Sequence, residues 1–256
     1  MNIDRKRVRE QFAAYTRNYD PEETMISLKI IHTYKVADNC ETIAKSLGLS
    51  EEEIEFNWLA GMLHDIGRFE QYKRYSTFID ALSIDHAALG AEILFGEDRL
   101  IERFTDDRST DAMLETVIRQ HNKFKISEEV TGKELTFCNI LRDADKIDIF
   151  RVIVDTPLEE LYDKPKDELV KAGVTPSVLS QTLSRQAVLR TPDLTTADRQ
   201  ISQIALAFEL VFPKSRELTK EQGNLYKLFD FPSENESMRQ ALIAIKKEVD
   251  AFFAGA

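Results

Sequence analysis

Six residues of this chain have side chains suited to holding a metal ion, and each lies in or at the edge of a predicted helix, on or beside its apolar stripe. They are His32, His64, Asp65, His86, His121 and Asp145. Neutral imidazole nitrogens and carboxylates suit transition metals such as iron, manganese, cobalt, nickel or zinc. Five separate elements therefore each offer a metal-type ligand toward the interior.

Each of these residues also has an ordinary explanation when it is taken alone. A single histidine beside Leu28 and Val36, as His32 is, is most often a core residue with a hydrogen-bonded ring. A carboxylate on an apolar face is costly to bury without a cation or a strong hydrogen-bond partner, and Asp145 has Arg142 or Lys146 as candidate partners. Because the six residues occur together, a shared metal site explains them better than six unrelated structural roles.

The string LAGMLHDIGRFEQ, at residues 59–71, resembles the signature of the HD-domain superfamily of metal-dependent phosphohydrolases. The minimal pattern of that family is a histidine, a His-Asp pair and a distant aspartate on different helices. Here it corresponds to His32 in KIIHTYKVA, to His64-Asp65, and to Asp145 in LRDADKIDIF. The resemblance covers about residues 25–155 and implies an all-α, HD-domain-like helical bundle.

Two further segments resemble the extra histidine motifs of family members that hold two metals. They are DHAALGAEIL, with His86, and IRQHNK, with His121. The resemblance implies two divalent ions, of iron, manganese, cobalt, nickel, zinc or magnesium. One would be held by His32, His64, Asp65 and Asp145. The other would be held by His86 and His121, with Asp65 bridging the two.

The reaction that this resemblance implies is hydrolysis of a phosphomonoester or phosphodiester in a small, nucleotide-like substrate by a metal-bridging hydroxide. Asp65 would take part as the bridge, and Arg68 would grip and stabilise the phosphate, since a guanidinium can bind two phosphate oxygens. Lys123 and Lys146 are further candidates for substrate contacts. The ordinary alternative for Arg68 is an ion pair with Glu70 or Asp65, and for the lysines a solvated or paired charge.

At three points the chain departs from the motifs of particular branches of the superfamily, which makes the substrates of those branches less expected. The chain lacks the Gly-Tyr-Pro element of the cyclic-dinucleotide phosphodiesterases, and Asn122 stands where that branch tends to have a second histidine. Arg68 stands where alarmone hydrolases and deoxynucleotidases tend to have an acid.

Two alternatives to the phosphohydrolase function remain open. One is a diiron oxygenase of the same superfamily, and the other is a metal-binding regulatory module without turnover.

The elements that must position these residues are predicted to be helices throughout, since 9 glycines and 7 prolines leave few breaks. Gly48 is expected to end one helix, Ser50 with Glu53 to cap the next, and Asp85 to cap a third. The predicted ranges are 4–16, 22–47, 51 to about 64, 86–95, 111–121, 134–154, 166–172, 176–187, 196–212, 214–229 and 235–253. Together they predict a single domain, 1–256, with a metal-binding core at about 22–155, a C-terminal helical extension at about 157–256 and a bend at 190–195.

Composition sets the remaining expectations. The net charge of −11 argues against an extended nucleic-acid surface and makes bound cations the natural attraction for a phosphorylated substrate. No apolar run approaches the roughly 20 residues of a membrane span, and the N-terminus has no apolar signal segment, so we expect a cytoplasmic protein. Cys40 and Cys138 are expected to be reduced thiols in or near the core. Assembly into a homo-oligomer is left open.

Overall fold

The computed structural model describes residues 3–189, 191 and 193–255. Helices and the turns between them account for these residues, which contain no strand, so the all-α prediction is confirmed. The chain divides into two compact units, Met1–Asp145 and Lys146–Ala256. The single-domain organisation stays a prediction.

The first unit carries all six candidate ligands, and its helices are numbered in chain order. They are α1 (Arg5–Thr16), α2 (Thr24–Ser46), α3 (Glu51–Leu63), α4 (Ile66–Tyr75), α5 (His86–Phe95), α6 (Ile101–Phe104), α7 (Asp111–Gln120) and α8 (Gly132–Asp155). A short 3-10 turn, Asp80–Leu82, lies between α4 and α5. The last residues of α8, from Lys146, belong to the second unit.

Local sequence signals set several helix ends as predicted. Ser50 and Glu53 form a reciprocal capping box at the start of α3. Asp85 caps α5 by accepting hydrogen bonds from the backbone of Ala87 and Ala88. Gly48, with φ of +67°, follows the end of α2 in the left-handed region that favours glycine. These ends matter because the candidate ligands cluster at them.

Helix α4 was not predicted, because the segment after the His-Asp pair reads as an aromatic and basic stretch with no clear start signal. The backbone of Asp65, at φ −101° and ψ 16°, departs from helical geometry and separates α3 from α4. The hydroxyl of Tyr15 donates to the carbonyl of Ile66 at 3.1 Å, and Phe12 packs edge-on against Phe69 at 5.9 Å. Contacts with α1 therefore hold the start of α4 in place.

Two glycines let the ligand-bearing helices approach each other closely. A Cβ added to Gly61 would lie 2.6 Å from Cα of Ala37, so α3 can pack on α2 only without a side chain there. A Cβ on Gly67 would collide with the carbonyl oxygen of His86 and lie 2.6 Å from the backbone nitrogen of Gly90, where α4 packs on α5. Backbone proximity at these two points brings the candidate ligands within reach of one another.

The described part of the second unit contains seven helices in addition to the end of α8. They are α9 (Leu158–Tyr162), α10 (Lys166–Lys171), α11 (Pro176–Leu183), α12 (Thr196–Ala205), α13 (Pro213–Gln222), α14 (Asn224–Lys227) and α15 (Glu236–Ala254), with 3-10 turns at Leu206–Glu209 and Leu228–Asp230. Helix α12 packs against α11 and begins at a capping box of Thr195 and Asp198.

Three predicted helices of this unit differ from their expected ranges. The helix predicted at 176–187 ends at Leu183. The helix predicted at 196–212 is α-helical only as far as Ala205. The one predicted at 214–229 is interrupted at Gly223, where φ is +70°. The bend predicted at 190–195 includes residues 190 and 192, which lie outside the described residues. Among the helices described for the chain, none is long and apolar enough to cross a bilayer.

Candidate metal centre

The two carboxylate oxygens of Asp65 face two different groups of histidines. Its Oδ2 lies 3.5 Å from Nε2 of His32 and 3.5 Å from Nε2 of His64. Its Oδ1 lies 3.4 Å from Nε2 of His86 and 3.7 Å from Nε2 of His121. All five side chains are buried. The structure thus brings the four histidines together around the single carboxylate of Asp65.

Asp145 joins the group on the Oδ2 side. Its Oδ1 lies 3.1 Å from Nε2 of His32 and 3.8 Å from Nε2 of His64. The amide of Asn39 in α2 donates to the carbonyl of Ala144 at 3.2 Å, which ties α8 to α2 beside the site. We refer to His32, His64, Asp145 and Oδ2 of Asp65 as the first cluster. The second cluster consists of His86, His121 and Oδ1 of Asp65.

Four of the six residues lie at helix ends, where backbone geometry aims them inward. His64 follows the last residue of α3, and Asp65 precedes α4. His86 is the first residue of α5, and His121 follows α7. Only His32 and Asp145 lie inside helices, in α2 and α8. Several helices therefore converge on one buried point from different parts of the sequence.

Backbone carbonyls fix the tautomers of two histidine rings. Nδ1 of His64 lies 2.7 Å from the carbonyl oxygen of Gly61, and Nδ1 of His121 lies 2.7 Å from that of Ile118. A carbonyl oxygen only accepts, so Nδ1 of each ring donates. In the neutral ring Nε2 is then left as a lone-pair donor to a metal. Both Nε2 atoms face Asp65.

A carboxylate does the same for His86. Its Nδ1 lies 2.6 Å from Oδ2 of Asp80, which as an ionised carboxylate can only accept, so Nδ1 carries the proton. Burial and the charge of Arg68 lower the pKa of His86 to about 3, although the hydrogen bond to Asp80 acts in the opposite direction. The ring is therefore neutral at pH 7, with an unprotonated Nε2.

The donor set fits divalent cations on two observations. Nε2 of His64 is buried and has no hydrogen-bond partner. Nε2 of His86 and Nε2 of His121 lie 2.9 Å apart, and since both rings already donate through Nδ1, two lone pairs face each other unless a cation lies between them. Two sets of three residues could each hold a metal ion, because the ligand atoms within each set lie within 4.8 Å of one another. One set is His32, His64 and Asp65, and the other is Asp65, His86 and His121.

The carboxylates are held in the ionised form that metal binding requires. Burial alone would raise the pKa of Asp65, but the charge of Lys29 and the polar contacts with the neighbouring imidazole rings outweigh it and hold that pKa well below its usual value. Burial likewise opposes ionisation of Asp145, and the polar contact with the ring of His32 outweighs it, so the pKa of Asp145 is also lowered. Both aspartates are anionic across the neutral range.

Lys29 is a member of the site that the sequence analysis missed. Its Nζ lies 2.7 Å from Oδ2 of Asp65, and its side chain is only 13% exposed. It precedes His32 by three residues in α2, a spacing that places the two side chains on one helix face. That spacing is the signal that could have revealed Lys29.

Arg68 lies beside Asp65, as its position three residues later suggested. Its Nε is 3.6 Å from Oδ1 of Asp65 and is buried without a hydrogen-bond partner. Its Nη1 donates to Oδ1 of Asp80 at 2.8 Å and to the carbonyl of Phe78 at 2.5 Å. Glu70, the other partner considered, is paired with Arg74 instead. The guanidinium is thus anchored by Asp80, with one edge turned to the proposed bridging carboxylate.

The other predicted contacts have partners of their own. The ammonium of Lys123 pairs with the carboxylate of Asp85. Nζ of Lys146 is buried in the second unit, 3.7 Å from Oε2 of Glu209. A substrate role for either lysine stays a prediction. The amide of Asn122 donates to Asp80 at 3.1 Å and to Asp85 at 2.8 Å.

Comparison with known proteins gives one match. The family model described as HD domain matches residues 30–149, a segment that contains all six candidate ligands. No curated protein and no solved structure matches the chain significantly. Residues 30–149 therefore match the HD-domain family, whose members are mostly metal-dependent hydrolases.

Proposed function

We propose that this protein is a metal-dependent phosphohydrolase that cleaves a phosphomonoester or phosphodiester of a small, nucleotide-like substrate. The observation that carries the proposal is that the two carboxylate oxygens of Asp65 face different histidines. Its Oδ2 faces His32 and His64, and its Oδ1 faces His86 and His121. A single carboxylate between two sets of imidazole nitrogens could bind two metal ions at once.

In this proposal each cluster holds one divalent cation. The first is held by His32, His64, Asp65 and Asp145, and the second by Asp65, His86 and His121. When bound, two such ions supply Lewis acidity and an activated water for displacement at phosphorus. The hydrogen bonds at Nδ1 keep the rings of His64, His86 and His121 oriented with Nε2 toward the centre.

Two cations of the chain are available to bind the anionic part of the substrate. Nζ of Lys29 lies 2.7 Å from Oδ2 of Asp65, and Nε of Arg68 lies 3.6 Å from Oδ1 of the same residue. A phosphate drawn to this centre would meet both charges, and an arginine can hold two of its oxygens at once. This local positive charge offsets the repulsion expected from a chain with a net charge of −11.

An aromatic ring beside the two cations supports a nucleotide-like substrate. The ring centroid of Phe78 lies 5.7 Å from Nζ of Lys29 and 5.7 Å from Cζ of Arg68. The ring is half-buried and packs against Tyr72 with centroids 5.0 Å apart. A flat base stacked near Phe78 would leave its phosphate within reach of both cations. Base stacking on aromatic side chains contributes about 1–3 kcal/mol per base where it has been measured by substitution.

The proposal is tested with protein loaded with Mn²⁺ or Fe²⁺ and a panel of aryl phosphate monoesters, aryl diesters and nucleoside 5′-phosphates. We expect phosphate or alcohol release that disappears with a chelator. Asp65→Ala should lower turnover by at least about 100-fold, because it removes a ligand of both clusters. The matched control is Asp98→Ala, at an exposed aspartate in the turn after α5.

Two results would count against the proposal. Turnover that survives Asp65→Ala would show that the bridging carboxylate is not needed. Iron-dependent oxygen uptake with an alcohol or phosphonate, without any hydrolysis across the panel, would assign the site to the oxygenase class of the superfamily.

A further inference from the structure

The carboxylate of Asp80 lies outside both clusters but contacts residues on each side of the proposed chemistry. Its Oδ2 accepts from Nδ1 of His86 at 2.6 Å and from the amide of Asn122 at 3.1 Å. Its Oδ1 accepts from Nη1 of Arg68 at 2.8 Å and from the amide of Gln71 at 2.9 Å. One oxygen thus serves a metal-type ligand, and the other serves the guanidinium proposed to bind phosphate.

The neighbouring acids do not form a third metal site. Asp80, Asp85 and His86 have ligand atoms close enough together to be considered one. The oxygens of Asp85, however, accept from the backbone at the start of α5, from Asn122 and from Lys123. Those of Asp80 are likewise taken up by four donors. Hydrogen bonding accounts for this acidic group without a cation.

We propose that Asp80 is a positioning residue that sets the ring of His86 for the second metal and the guanidinium of Arg68 for the phosphate through the same carboxylate. This inference rests on the proposed function, because it requires a metal at the second cluster and an anion at Arg68. It adds a coupling: metal binding at His86 and anion binding at Arg68 depend on one side chain.

The physical reason lies in the donor pattern around Asp80. A metal-binding histidine is held in the right tautomer, and made more basic, by an acceptor at its other nitrogen. All four contacts of Asp80 come from N–H groups, on His86, Asn122, Arg68 and Gln71. The two oxygens of Asp80 therefore act as acceptors only.

An amide cannot replace this carboxylate. Asp80→Asn has nearly the same shape but presents one oxygen and one NH2 group. Whichever way the amide is turned, a donor opposes either Nδ1 of His86 or Nη1 of Arg68. If it opposes His86, the ring is driven to the tautomer with the proton on Nε2, which cannot bind a metal. If it opposes Arg68, Nη1 loses its charged partner and keeps only the carbonyl of Phe78 and the side-chain oxygen of Gln71.

The experiment measures equilibrium binding of Mn²⁺, and then of inorganic phosphate, to the full chain and its variants by calorimetry. We expect two Mn²⁺ per wild-type chain. For Asp80→Asn we expect the first cluster to bind normally and at least one of two affinities to fall. If the NH2 group faces His86, the second cluster should lose about 10–100-fold in affinity for Mn²⁺, the range for loss of an outer hydrogen-bond partner. If it faces Arg68, phosphate should bind more weakly at saturating Mn²⁺.

Asp85→Asn is the matched control. It makes the same chemical change five residues away, and asparagine is as good a helix cap as aspartate, so α5 should keep its start. We expect Asp85→Asn to bind two Mn²⁺ with affinities close to those of the wild type. If Asp80→Asn also behaves like the wild type, the positioning role is overturned.

A second measurement covers the case in which Asp80→Asn does not fold. Imidazole nitrogen chemical shifts of the metal-free wild-type protein report the tautomer of each histidine. We expect His86 to carry its proton on Nδ1, and a proton on Nε2 would overturn the inference.

The binding readout needs no turnover, so the two proposals fail separately. Loss of the second Mn²⁺ in Asp80→Asn without hydrolysis by the wild type would overturn only the phosphohydrolase proposal. A wild-type chain that binds fewer than two Mn²⁺ would overturn both.

Discussion

The ammonium of Lys29 lies 2.7 Å from Oδ2 of Asp65, on the same oxygen that faces His32 and His64. A positive charge thus already balances the proposed bridging carboxylate on the side of the first cluster. Carboxylates that bind metals are commonly hydrogen-bonded as well, and an ammonium can fill that role. The electrostatic partner of Asp65 therefore comes from the same helix, α2, as the first histidine.

Removing that partner should destabilise the metal-free protein more than the metal-loaded one. Lys29→Met leaves the carboxylate of Asp65 buried without its closest cation, and breaking a buried ion pair in this way costs about 3–5 kcal/mol. Bound Mn²⁺ should restore most of that loss, because it neutralises the same oxygen. The measurement is urea unfolding with and without Mn²⁺.

Lys45→Met serves as the control for Lys29→Met, since Lys45 lies on the same helix and its ion pair with Glu41 is exposed. If Lys29→Met lowers the free energy of unfolding equally with and without Mn²⁺, the electrostatic explanation is contradicted.

Gly67→Ala should damage the fold and the second cluster together. The added Cβ would collide with the carbonyl of His86 and would push α4 away from α5. Overpacking of this kind costs about 1–3 kcal/mol, and here it would also move His86 relative to Asp65. We expect lower stability in urea together with weaker binding of the second Mn²⁺.

Gly255→Ala is the control for Gly67→Ala, because a Cβ at Gly255 would have no neighbour nearer than 3.8 Å. Unchanged Mn²⁺ affinity in Gly67→Ala would show that α5 does not depend on this close approach.

Asp145→Asn should affect the first cluster and leave the second intact. Oδ1 of Asp145 is 3.1 Å from Nε2 of His32. Loss of an outer hydrogen-bond partner typically lowers metal affinity by about 10–100-fold. Loss of this charged ligand should lower the affinity of the first cluster for Mn²⁺ by at least as much. Direct metal analysis should find one tightly bound ion instead of two.

Asp155→Asn, at an exposed aspartate on the same helix α8, should keep both metals. If Asp145→Asn also retains both at wild-type affinity, Asp145 is not a ligand.

The stability of the metal-free protein should fall as the pH is lowered below about 6.5, the ordinary pKa of histidine. The folded-state pKa of His86 is about 3, so between these values the unfolded chain binds a proton that the folded chain does not. Such a difference favours unfolding at lower pH and costs up to about 1.4 kcal/mol per pH unit for that proton. Asp65 and Asp145, whose pKa values are lowered, add to the loss below about pH 4.

Urea unfolding at pH 7.5, 6.0 and 5.0 in the presence of a chelator measures this dependence. In His86→Gln the slope between pH 6.5 and 5 should be smaller than in the wild type. A slope that is identical in the two proteins would contradict the neutral state assigned to His86.

The sequence by itself determined the helical class, several helix ends and the six residues that converge on the site. These features depend on local chemistry. Ser50 with Glu53 caps α3, and Asp85 caps α5, through contacts a few residues apart. The order of the histidines and aspartates along the chain carried the resemblance to the HD-domain superfamily, which the family match at residues 30–149 confirms.

Only the tertiary structure decided how these residues face one another. The helix α4 is held by packing on α1 and α5, which local signals do not reveal. Which oxygen of Asp65 faces which histidines, and the contacts of Asp80 with Arg68 and His86, depend on close helix packing at Gly61 and Gly67. Such contacts join residues that are distant in sequence, and their geometry exists only once the helices have packed.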